Sequence, residues 1–162
     1  MSDTITRIDA AAELAGWTRR MTGMYCKDLA AIPEDAYTKC PGGVCRTPQD
    51  FTAEVAGFCF MVADLLNGKE HPMPDEARRE AWKASLDTRE KGLKAVQDGG
   101  EALASALTTA GDRLGATVQA PWGESLSLFQ LSQVAANHIL YHDGQLNYLQ
   151  ALKGDGEMHW FD

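Results

Sequence analysis

The chain has 162 residues, 44% apolar and 23% charged, with 15 Lys and Arg against 23 Asp and Glu for a formal charge of -8. That length suits a single domain with a genuine hydrophobic core, expected over residues 1–162. No run approaches the roughly 18 consecutive apolar residues of a membrane helix, and so acidic a chain, with its Lys and Arg dispersed, argues against nucleic acid as a partner.

The opening "MSDTITRIDAAAEL" lacks a basic flank followed by an apolar run, so no secretory signal is read and the cytoplasm is the expected compartment. Cys26, Cys40, Cys45 and Cys59 should then stay reduced. Helical spacing predicts a first helix from about Ile5 to Ala31, with Leu14, Trp17, Met21, Met24 and Tyr25 on one side, ended by Pro33. The turn-rich "YTKCPGGVCR" reads as a loop. Its pair Cys40 and Cys45 is spaced too widely for the usual zinc clip and has no second pair to complete it.

"TPQD" is a helix start: Thr47 caps, Pro48 fits the first position, and Asp50 faces the positive end of the dipole. The stripe that follows is Phe51, Glu54, Phe58, Met61, Leu65, with Glu54 its one polar member. After "NGKEHPMP" a third helix is expected from Trp82 through Leu86, Arg89, Leu93, Val96, Gly100, Leu103 and Leu107 to Ala110. Arg89 is its charged exception, and Gly99 with Gly100 predicts a kink or break. "ATVQAPWGES" reads as an extended stretch and a turn, forming one rim of a pocket. A fourth helix should start near Ser125 or Ser127 and run to Leu152, before Gly154, with Leu131, Ala135, His138, His142, Gln145, Leu149 and Leu152 on its seam.

Four elements at helical spacing make the expected fold all-α. Its seams carry polar groups where apolar ones belong: Glu54 on the second helix, and His138, His142 and Gln145 on the fourth. An unpaired buried polar group costs about 1–3 kcal/mol, so these residues need partners. Two histidines one turn apart can grip a single divalent ion, and a carboxylate from a facing helix completes a three-ligand set with positions left open. Gln145 and Tyr141 would then orient ligands or face substrate. Arg89 could anchor an anionic substrate group, or lay its stem on apolar surface with its guanidinium in water. His71 and His159 read as loop or tail residues without a partner set. "GEMHWFD", with Met158, Trp160 and Phe161, should fold back on the bundle or bury itself in a second subunit.

"NHILYHDGQLNYL" resembles the last-helix signature of the DinB/YfiT-like superfamily: histidine, three residues, histidine, then x-Gly-Gln. "TPQDFTAEVAGFCFMVADLLNG" is similar to that family's second helix, so the resemblance spans essentially the whole chain. It implies a four-helix bundle in up-down-down-up order, commonly a homodimer. It also implies a divalent metal on three histidines, nickel or zinc before iron or manganese. Two of those histidines fall on His138 and His142; the third position, before "AGF", holds Glu54. Family activities include low-molecular-weight thiol S-transferases, thiol-dependent isomerases and metal-dependent hydrolases.

The expected reading is therefore a metal-dependent enzyme acting on a small molecule, thiol transferase-like or hydrolase-like, with Glu54, His138 and His142 as ligands and a low-molecular-weight thiol as cosubstrate in the first case. Two alternatives stay open. One is a metal-free bundle that binds a small ligand or a partner, its Glu–His–His cluster self-satisfied. The other is a seam register displaced by one, which would leave Glu54 an ordinary surface carboxylate.

Overall fold

Each helix begins where a side chain accepts from otherwise unpaired backbone N–H groups. A computed structural model of the chain describes residues 8–161, so the expected helical start at Ile5 lies outside the described residues. Asp9 caps α1 (Ala10–Ala31) through Ala11 and Ala12 N–H, and the helix stops at Ile32 because the next residue is Pro33. Thr47 and Asp50 form a reciprocal capping box on α2 (Pro48–Leu66), with Pro48 at its first position. Asp75 caps α3 (Glu76–Ser85) and Thr88 caps α4 (Arg89–Ala110). Ser127 and Gln130 form a second capping box on α5 (Leu128–Leu152).

The four long helices α1, α2, α4 and α5 pack side by side, and α3 lies against α2. Their shared interior holds Met21, Tyr25, Leu29, Val55, Val62, Leu103, Leu107, Leu131, Ile139 and Leu146, all essentially inaccessible to solvent. Burying a side chain of this size stabilises the fold by about 1.5–3 kcal/mol. Between α4 and α5, β1 (Thr117–Gln119) pairs antiparallel with β2 (Ser125–Ser127), Val118 opposite Leu126. The stretch expected to be extended with a turn is thus a short hairpin. Among the described residues no helix is long and apolar enough to cross a membrane.

The third expected helix is two helices. Leu86 ends α3, Thr88 starts α4, and Gln49 Nε2 donates to the Lys83 and Leu86 carbonyls at 2.9 and 3.2 Å, satisfying groups that the break frees. The expected kink at Gly99 and Gly100 is absent, since α4 runs through both. These glycines instead permit close approach. A Cβ on Gly99 would lie 3.0 Å from the Ala56 carbonyl oxygen, and one on Gly100 would lie 2.3 Å from Thr22 Oγ1. The buried line of α1 follows Ala11, Ala15, Thr18, Thr22, Tyr25 and Leu29, leaving Trp17 46% exposed. Met21 and Tyr25 of the expected stripe lie in the core, and small residues complete the rest of this helix's contact face. Leu152, expected on the α5 seam, is 61% exposed at the helix end.

The C-terminal segment folds back as a single turn, His159–Phe161, against α1. Trp160 Nε1 donates to Asp28 Oδ2 at 2.6 Å, and Lys27 Nζ donates to the Trp160 carbonyl at 3.3 Å.

Candidate metal centre

Position 54 lies in the second turn of α2, and positions 138 and 142 lie one turn apart in the middle of α5. Because these helices pack together, the three side chains converge. Glu54 Oε1 stands 3.1 Å from His138 Nε2 and 3.5 Å from His142 Nε2, and the two Nε2 atoms are 3.2 Å apart. The set is graded in exposure: 43% for the Glu54 side chain, 19% for His138 and 1% for His142. Glu54 thus sits at the rim with its carboxylate turned inward, neither fully buried nor an isolated surface group.

Hydrogen bonding fixes what these atoms present. His142 Nδ1 meets Gln145 Oε1 at 2.6 Å. With that oxygen accepting, His142 Nδ1 donates the hydrogen bond, and His142 Nε2 faces Glu54 and His138. The three atoms can satisfy one another through hydrogen bonds or share one cation. Tetrahedral coordination with bonds of about 2.0–2.1 Å separates ligand atoms by about 3.3 Å, and the observed separations bracket that value. Among the described residues, Glu54, His138 and His142 form a group that could hold a metal ion.

The surroundings are aromatic. Phe51 stacks on His142 at 5.3 Å between ring centroids, Phe58 lies 4.7 Å from His138, and Trp122 at the hairpin turn stacks on Phe58 at 5.9 Å. The hairpin therefore does form a rim. Tyr141 presents its ring to the edge of His142 at 5.0 Å, though most of its side chain faces solvent. Arg46 pairs with Glu54, and its guanidinium lies 5.4 Å from the Phe51 centroid. Hydrogen bonds to His138 and His142, with Arg46 adding to them, hold the Glu54 carboxyl well below its ordinary range.

The chain matches no protein-family model and no curated protein.

Arg89 belongs to a different part of the structure from its expected one. Its guanidinium donates to the Ala30 carbonyl at 2.7 Å and to the Ile32 carbonyl, and pairs with Glu34 at 3.2 Å, so it closes the C-terminus of α1. The seam count that aimed it inward ran through the break at residues 86–88. His71 and His159 are not unpartnered, since each lies 3.0 Å from a carboxylate, Asp64 and Asp155 respectively. Cys40 and Cys45 are free and exposed.

Sequence reasoning missed Arg46, Trp122 and the roles of Phe51 and Phe58. The two phenylalanines carried a signal, for they flank Glu54 on its own stripe. It also missed a buried carboxyl pair: Asp143, next to His142, and Asp28 are both closed to solvent. Asp28 Oδ2 accepts from Asn147 Nδ2 at 2.7 Å as well as from Trp160. Burial first, and the neighbouring Asp28 second, push the Asp143 carboxyl up to about 8.

Proposed function

We propose that the chain is a divalent-metal-dependent enzyme of the DinB-like type, with Glu54, His138 and His142 as ligands. In this reading it is a four-helix bundle in up-down-down-up order that works as a cytoplasmic homodimer on a small-molecule substrate. One observation supports the reading: three potential ligand atoms from two helices converge at the spacing of a tetrahedral site, with His142 Nδ1 already bonded to Gln145 so that its Nε2 faces the other two. Three protein ligands leave positions open, and the chemistry an ion supplies there is activation of a bound water or thiol.

The chain's own residues define the rest. Phe51, Phe58 and Trp122 exclude water from the histidine side, which strengthens every electrostatic interaction there. Gln145 holds His142 in place, and Glu54 supplies negative charge. Two imidazoles favour nickel or zinc, while the harder carboxylate keeps iron and manganese in competition. A low-molecular-weight thiol as cosubstrate makes the enzyme transferase-like; water makes it hydrolase-like.

The Arg46–Glu54 ion pair favours a second reading, a metal-free bundle that binds a small ligand or a partner, because Arg46 already supplies a counter-charge to the cluster. Elemental analysis of protein purified without chelator or metal-affinity resin separates the two. Near-stoichiometric metal in wild type, absent from His142→Ala, supports the enzyme. No metal in either protein, even after incubation with nickel, zinc, iron and manganese, overturns it.

A further inference from the structure

A cavity of about 370 Å³ opens between α2 and α3, beside the candidate metal centre. Its walls are Phe58, Phe60, Met61, Met73 and Trp82, and its floor is open at Gly57, where a side chain would begin only 3.5 Å from Trp82 Nε1. Glu54 and Phe58 belong both to this cavity and to the metal-ligand cluster. The volume is at the small end of the range for ligand pockets.

The order of contacts gives the cavity a direction. Lys83 and Leu86 meet Gln49, Lys83 pairs with Asp50, and Trp82 Nε1 donates to the Ala53 carbonyl at 2.8 Å, so α3 runs antiparallel to α2. Arg78 and Arg79, one turn before Trp82, therefore come alongside Gly57 and Ala56, about one turn along α2 from Glu54, and both line the cavity. Neither arginine is held in an ion pair among the described residues; Arg79 donates only to the Pro74 carbonyl, at 2.8 Å. His71, the other basic group on the rim, is already matched by Asp64.

We infer that this cavity is the substrate site of the proposed metal centre, and that it takes a carboxylate with an aryl or alkyl body. The carboxylate lies at Arg78 and Arg79, the apolar body between Phe58, Phe60, Met73 and Trp82, and the reacting end at Glu54. The substrate class rests on the metal reading; the cavity's preference for an apolar anion does not.

The test uses chelator-treated protein, so that absence of metal and absence of binding are separate results. Calorimetric titration with phenylbutyrate, and with neutral phenylbutanol as control, should show the acid binding more tightly. Arg78→Gln with Arg79→Gln should weaken the acid about tenfold and leave the alcohol unchanged. Gly57→Leu, which fills the cavity, should abolish both. If that variant fails to fold, amide and indole NMR of wild type gives the same information: phenylbutyrate should shift the Trp82 indole N–H and the Gly57, Phe60 and Met73 amides. Equal binding of acid and alcohol, indifference to the arginine substitutions, or shifts centred elsewhere would each overturn the inference. Binding that survives while elemental analysis finds no metal would overturn the enzyme reading and leave the pocket standing.

Discussion

Replacing Gly100 by alanine tests how tightly α1 and α4 are packed. A new Cβ would lie 2.3 Å from Thr22 Oγ1, 2.5 Å from its Cγ2 and 2.9 Å from its Cβ, where ordinary contact begins at 3.4 Å. Turning Thr22 to another rotamer cannot relieve this, because its Cβ does not move. The helices must separate by a sizeable fraction of an ångström. Alanine gains about 1 kcal/mol in helix propensity, while overpacking of a close interface costs about 1–3 kcal/mol and a wider gap loses contacts along the whole seam. A net destabilisation of about 1–2 kcal/mol is expected. Gly16→Ala on the exposed face of α1, with nothing within 4 Å, should instead stabilise by about 0.5–1 kcal/mol. Urea unfolding of both variants reads the two signs directly, and Thr22→Gly should restore most of what Gly100→Ala loses. The reasoning fails if Gly100→Ala stabilises the chain as much as Gly16→Ala does.

Three other substitutions probe the polar groups. The folded Asp143 carboxyl sits at about 8 against an ordinary 3.8, so the folded state holds its proton more tightly and this group's contribution to stability declines as pH rises from about 4 to about 8. Asp143→Asn should therefore gain on wild type across that window, as urea midpoints of chelator-treated protein would show; parallel curves would contradict it. Arg89→Ala should lower stability by about 1–2 kcal/mol through the uncapped carbonyls of α1 and leave metal stoichiometry unchanged, so a loss of metal would return Arg89 to the site. Arg46→Ala removes the competitor for Glu54, and zinc affinity measured against a chromophoric chelator should tighten several-fold. Weaker binding would instead make Arg46 an organiser of the site.

Local signals in the sequence proved reliable where the chemistry is itself local. The Thr47–Asp50 box, the Ser127 cap and the stop before Pro33 are each a side chain acting within four residues. The convergence of Glu54, His138 and His142 was legible for a related reason: polar residues on two otherwise apolar stripes must meet one another. Arg89 was misread because a seam count assumes an unbroken helix, and Leu86-Asp87-Thr88 resets the phase. Gly99 and Gly100 were read as weakness, since propensity is a property of one helix, whereas their value lies in the helix alongside. The Trp122–Phe58 contact and the Asp28–Asp143 pair join residues far apart in sequence without periodicity, so no local pattern announces them.

The grading of exposure across the ligand cluster bears on how fast an ion arrives and leaves. His142 is sealed and His138 is 19% exposed, so in the proposed metal-bound form Glu54 would be the ligand nearest solvent. Capture would begin with carboxylate contact in an overall negative field that draws cations in, continue with displacement of Arg46, and finish as the imidazoles replace the last waters on the inner side. In the proposed metal-bound form a chelator would reach the ion from the Glu54 side, because His142 lies behind Phe51.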